Sequence, residues 1–126
     1  MRETVEIILG GATYSLRPTW TAYAEIEART GSSIRSLWYR FATGDIKLSE
    51  MSAVLLAGMK AFDAERNIGE QAVTRAIFDA GPWWDQEDGI SSRLVEYLEA
   101  LGWTPEQREK IKAEVAAESR ETASSA

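Results

Sequence analysis

The chain has 126 residues, with 14 Lys and Arg against 20 Asp and Glu, a net charge of −6, and neither Cys nor His. Disulfides, thiolate zinc sites and every Ser-His or Cys-His nucleophile pair are thereby excluded, so any catalysis would fall to carboxylates, Lys, Tyr or Ser. One domain is the expectation at this length, with 44% hydrophobic residues to supply its core.

An acidic chain of pI about 4.7 is poorly suited to tracking a phosphate backbone, so no nucleic-acid partner is expected. No run approaches the roughly 18 consecutive apolar residues of a membrane span, and Glu3 sits where a signal peptide would be basic. The expected location is the cytoplasm. The charge is uneven: residues 1–61 carry 7 basic and 6 acidic groups, residues 62–103 carry 3 and 9, and residues 104–126 carry 4 and 5. The net charge thus resides in the middle third, which reads either as a solvated surface or as a face for a basic partner.

Residues 3–17 predict a β-hairpin. Val5, Ile7 and Leu9 alternate with Thr4, Glu6 and Ile8, Gly10-Gly11 supplies the turn, and Tyr14 and Leu16 resume the period-2 pattern. A lone hairpin is marginal in water, so its apolar face must pack on helices or join strands from another copy. Pro18 ends the second strand and Thr19 caps a helix to about Arg29 that offers Trp20, Tyr23 and Ile26, with Gly31 as its C′ residue. Ser32 or Ser33 caps the next helix, on which Ile34, Leu37, Trp38, Phe41 and Ala42 form one apolar stripe ended by Gly44. Ser49 is the predicted N-cap of a third helix; Met51, Val54, Leu55, Gly58, Met59 and Phe62 hold the helical period there with almost no polar face, which marks it as central.

A fourth helix, about 70–80, offers Val73, Ala76, Ile77 and Ala80 before Gly81-Pro82. A fifth, about 90–101, offers Ile90, Leu94, Tyr97, Leu98 and Leu101, closed by Gly102. Thr104-Pro105-Glu106-Gln107 is a capping-box start for a last helix, in which Ile111 and Val115 share a thin apolar stripe. The predicted fold class is α+β, mainly α: one domain over 1–119 with a hairpin at about 3–17, a helical body at about 19–102 and a C-terminal helix at about 104–119. The small polar residues of 120–126 are expected to be disordered.

The segment Trp83-Trp84-Asp85-Gln86-Glu87-Asp88-Gly89 is the most conspicuous local feature. As a calcium loop it fails, because Gly89 stands fifth from Asp85 where the sixth position is required. Glycosidase chemistry needs a cleft that three neighbouring acids on one loop do not suggest, and acids before a helix favour its positive end. Trp38 fits a core stripe, while Trp20 and Trp103 flank helix ends where the ring packs and the indole N–H stays wet. Gly10-Gly11 lacks any phosphate-loop context. Arg17, Arg29, Arg35 and Arg40 among Trp20, Tyr23, Trp38 and Tyr39 are able to stack on single-stranded nucleic acid, but this half carries too little net charge to support it. No catalytic residue, metal or cofactor is assigned. The candidate partner-binding residues are Trp83, Trp84, Asp85, Glu87, Asp88, Ile111 and Val115, because adjacent Trp residues point apart, so that either both pack into the core from the two sides of a turn, the reading the pattern favours, or one anchors a partner, and because so thin a helix docks weakly or awaits a partner.

The hairpin running into LRPTWTAYAEIEARTGSSI (Leu16 to Ile34), then GDIKLSEMSAVLLAGMKAF (Gly44 to Phe62) and AVTRAIFDAG (Ala72 to Gly81) resembles the small tail-assembly proteins of bacterial gene transfer agents and related long-tailed phages and prophages. The resemblance covers about residues 5–81 and consists of packing, capping and turn residues. It implies a non-enzymatic tail assembly chaperone whose partners are the tail tape-measure protein and the tail tube protein; the lone hairpin, separately, points to self-association through its strands. Some family members are labelled tail tube proteins, which implies the alternative of a tube or connector subunit retained in the mature particle. The chaperone reading is preferred because tail tube subunits are dominated by β-structure and this chain reads as helical.

Overall fold

The computed structural model describes residues 4–65, 68–80 and 89–124, with the side chains of 115, 116 and 118–124 outside the description. Two strands, β1 (Val5–Leu9) and β2 (Ala12–Leu16), precede six helices: α1 (Trp20–Thr30), α2 (Ile34–Thr43), α3 (Leu48–Phe62), α4 (Glu70–Asp79), α5 (Ile90–Gly102) and α6 (Pro105–Ser124). The architecture is α+β and mainly α, as the sequence predicts.

The strands pair antiparallel with Val5 opposite Leu16, Ile7 opposite Tyr14 and Leu9 opposite Ala12. Gly10 and Gly11, at φ of 60° and 81°, make a two-residue turn of the kind whose twist suits a hairpin, and both positions need the positive φ that glycine adopts without strain. Val5, Ile7, Leu9 and Leu16 are buried because the hairpin lies face down on α3 and α5. Its own helices therefore cover the apolar face.

Helix α3 is buried from Met51 through Met59, since α1 and α4, the hairpin and α5 all pack on it. A helix apolar on nearly every side is stable only when surrounded in this way. Its one buried hydroxyl is satisfied: Ser52 donates to the Leu48 carbonyl at 3.0 Å and accepts from the Thr74 hydroxyl of α4 at 2.8 Å. Helix α2 packs against α5, burying Ile34, Leu37 and Phe41 against Leu94, Leu98 and Leu101 in one continuous core.

Local chemistry sets most helix ends. Thr19 accepts from the Ala22 amide at 3.1 Å and Ser33 from the Ser36 amide at 3.1 Å. The Glu27 carboxylate reaches across from α1 to accept from the Ile34 amide at 3.2 Å, placing an anion at the positive end of α2. At α6 the capping box closes in both directions, Gln107 N–H to the Thr104 hydroxyl at 3.3 Å and Thr104 N–H to the Gln107 side chain at 3.0 Å.

Several sequence expectations are corrected. Helix α3 starts after Lys47 without a side-chain cap, placing Ser49 inside the first turn; Ile46 and Leu48 pack on the core, and that docking sets the start. Gly102 is the last residue of α5, followed by an extended Trp103. A Cβ at Gly102 would lie 3.4 Å from Ile34 Cγ2, so this glycine serves the close approach of α5 to α2. Ala42 and Ala80 are exposed and Trp38 is half-buried, which narrows their stripes. Helix α6 runs to Ser124, past the boundary at residue 119 that composition suggests.

Candidate interaction surface

Among the described residues three titratable groups are perturbed, and all serve the fold. The guanidinium of Arg40 on α2 grips the Glu50 carboxylate of α3 with two donors, Nη1 to Oε1 at 2.7 Å and Nη2 to Oε2, and Nη2 also reaches the Ser32 hydroxyl at 3.3 Å. The hydrogen bond from Arg40 holds the buried Glu50 carboxyl below the usual carboxylate range, against the opposing effect of burial. Burial pushes the Tyr97 phenol up, with the Glu25 charge adding to it, and its hydroxyl donates to the Arg17 carbonyl at 2.8 Å. Among the described residues no group of three or more acidic side chains is arranged to hold a metal.

What the structure does offer is exposed apolar surface. Ile8, Trp20, Tyr39 and Phe78 are each more than three-fifths exposed, on β1, α1, α2 and α4. Trp20 is 82% exposed although the sequence places it where the ring packs. The reason is local. Pro18 and the Thr19 cap fix the chain direction entering α1, and burying Ala22 and Ile26 turns the first helical position outward. Trp20 and Tyr23 thereby wall an open cleft of about 480 Å³ shared with Pro18, Thr19, Leu101 and Gly102. An exposed indole beside a cleft is the kind of anchor that dominates protein interfaces.

Trp103 behaves oppositely. It is buried to 9% exposure, meets Trp38 edge-on with ring centres 5.0 Å apart, and carries the Arg35 guanidinium 5.3 Å from its ring centre. The Trp38 indole donates to Glu99 at 3.2 Å, and Arg108 of α6 reaches the same carboxylate at 3.6 Å. This cluster ties α2, α5 and the base of α6 together.

The predicted partner-binding residues Trp83, Trp84, Asp85, Glu87 and Asp88 lie outside the described residues. Ile111 is half-buried on α6, Val115 belongs to the same helix with its side chain outside the description, and α6 packs on α5. Sequence reasoning missed the Trp20 cleft; the signal was Trp20 at the first helical position, outside the spacing set by Ala22 and Ile26.

A family described as phage tail tube protein, GTA-gp10, matches residues 2–83, about two thirds of the chain. The chain belongs to this family. The matched segment holds the hairpin and α1 through α4, in agreement with the resemblance read over about 5–81, and the tail-related part of that reading stands. The description names a tail tube protein and not a chaperone. Helices α5 and α6 lie beyond the match to the phage tail tube family, yet α5 supplies Leu94, Tyr97, Leu98 and Leu101 to the core on which the matched hairpin rests. No curated protein and no solved structure matches the chain.

Proposed function

We propose that this protein builds a phage-type tail through protein contacts, as a non-enzymatic tube-associated subunit retained in the finished particle. The observation that carries this reading is the tail tube family match across the hairpin and the first four helices. The exposed Trp20 beside its cleft supports it by supplying an anchor for a neighbouring tail protein. Assembly takes place in the bacterial cytoplasm.

A second reading is favoured by one specific observation. The described sheet is a single pair of five-residue strands, covered on its apolar face by the chain's own helices. That is little sheet for a tube wall, and it supports a tail assembly chaperone that engages the tape-measure and tail tube proteins and then departs. Quantitative mass spectrometry of purified particles separates the two. Copy numbers comparable to the tube protein support the retained subunit. Absence from particles, together with co-purification with the tape-measure protein during assembly, supports the chaperone. Normal tails from a deletion strain would sink both.

A further inference from the structure

The two edges of the hairpin are not equivalent. With Leu9 and Ala12 closing the two-residue turn, the pairs Leu9–Ala12, Ile7–Tyr14 and Val5–Leu16 exchange the main-chain hydrogen bonds. The main-chain groups of Glu6 and Ile8 on β1, and of Thr13, Ser15 and Arg17 on and after β2, therefore point away from the hairpin. On the β2 side the helices occupy the end of the edge. Arg17 N–H donates to the Gly58 carbonyl of α3 at 3.1 Å, and the Arg17 carbonyl accepts from Tyr97 of α5. On the β1 side, among the described residues, Glu6 and Ile8 make no further main-chain hydrogen bond.

The β1 edge is guarded only by its shortness and by the Glu6 charge. It has no Lys, Pro or bulge, and it presents Ile8 at 72% exposure. We propose that two copies of this chain join at their β1 edges, antiparallel and centred on Ile7, so that the hairpins form one four-stranded sheet. In this register Glu6 of each copy exchanges both main-chain hydrogen bonds with Ile8 of the other. On the inner face Val5, Ile7 and Leu9 are already buried by the chain's own helices, so the contact rests on the main-chain hydrogen bonds and on the outer face. On the outer face each Glu6 side chain lies beside an Ile8.

The strand's own pattern selects a second copy as the occupant. Shifting the symmetric pairing by two residues in one direction sets Glu6 against Glu6, a like-charge pair that opposes association. Shifting it in the other leaves Glu6 opposite Gly10 and gives up part of the strand. The Ile7-centred register satisfies both outward residues of both strands at once, in the isologous manner of a two-fold dimer. A contact between two short strands is small, so the dimer belongs to the weak, transient class. The association is a property of the chain alone, and its test is independent of the particle proteomics above.

The test is sedimentation velocity of the full chain over a concentration series reaching the millimolar range. The wild type is expected to show a reversible monomer–dimer equilibrium. Ile8→Glu, which sets two carboxylates against each other, is expected to weaken it at least tenfold, and adding Glu6→Lys to Ile8→Glu is expected to restore it. Circular dichroism should confirm that each variant keeps the native fold, since both side chains are exposed. Because the chain has no Cys, a mixture of Glu6→Cys and Ile8→Cys chains should oxidise to a cross-linked heterodimer faster than either chain alone, hydrogen-bonded strand pairs lying within disulfide reach. A wild type that stays monomeric throughout, Ile8→Glu pairing as tightly as wild type, or no rescue by the double exchange would each overturn the proposal.

Discussion

Gly58 of α3 and Leu16 of β2 approach so closely that a Cβ on Gly58 would stand 2.9 Å from Leu16 Cβ. The same imagined methyl would lie 3.0 Å from Tyr97 Cζ, so the site where hairpin, α3 and α5 meet has room for a hydrogen and nothing more. The contact also allows Arg17 N–H to reach the Gly58 carbonyl at 3.1 Å, which gives the hairpin its main-chain anchor on the helical layer.

Gly58→Ala is therefore expected to destabilise the protein. Helix propensity alone would favour Ala in a helix interior by about 1 kcal/mol. Overpacking of a filled core costs about 1–3 kcal/mol, and Leu16 Cβ is tied to the strand backbone and cannot swing aside. A lower denaturation midpoint in urea checks the sign; a higher one would mean that the hairpin shifts freely on α3.

The same junction holds the Tyr97 hydroxyl. Tyr97→Phe keeps the packing of a fully buried ring and removes the donor to the Arg17 carbonyl. The expected loss is about 0.5–1.5 kcal/mol, read from chemical denaturation. Hydrogen exchange at the Arg17 amide should rise with it, because that amide and the Tyr97 contact hold the same residue.

The Arg40–Glu50 pair gives a pH signature. The folded-state pKa of Glu50 is depressed by its hydrogen bond from Arg40, so its contribution is fully present above the ordinary glutamate pKa and is lost as pH falls through the folded value. Glu50→Gln is expected to cost about 1–3 kcal/mol near neutral pH, moderated because the Arg40 side chain keeps 20% exposure. The gap between variant and wild type should shrink in urea melts below about pH 4, where the carboxyl of the unfolded chain takes up a proton that the folded one still resists, and close as pH falls through the folded value. A gap that stays constant with pH would show that the charge of Glu50 contributes nothing.

Elements whose signal is local were legible in the sequence. The glycine turn of the hairpin, the Thr19 cap and the Thr104–Gln107 box all depend on neighbouring residues, and all stand where the pattern places them. The start of α3 was not, because Ile46 and Leu48 docking on the core outweighs a Ser49 cap. The Arg40–Glu50 grip was also hidden, since nothing in the separation of two exposed-looking charges tells that α2 and α3 bring them together. Trp20 and Trp103 show the same limit at the candidate site. Both sit beside helix ends, and only the packing of α1, α2 and α5 decides that one projects outward while the other is enclosed.

That contrast gives the last prediction. Trp103→Ala removes a buried indole together with its edge contact to Trp38, and about 3–5 kcal/mol of stability should go with it. Trp20→Ala removes an exposed one, and the denaturation midpoint should stay within about 0.5 kcal/mol of wild type. If the cleft of Trp20 and Tyr23 is where a tail protein docks, Trp20→Ala should nevertheless reduce capture of co-expressed tail tube or tape-measure protein, because an exposed Trp in a partner's pocket contributes about 2 kcal/mol or more. A stable Trp20→Ala variant that captures both proteins as wild type does would remove this cleft from the interface and leave Ile8, Tyr39, Phe62 and Phe78, the other exposed large apolar side chains among the described residues, to be replaced in turn.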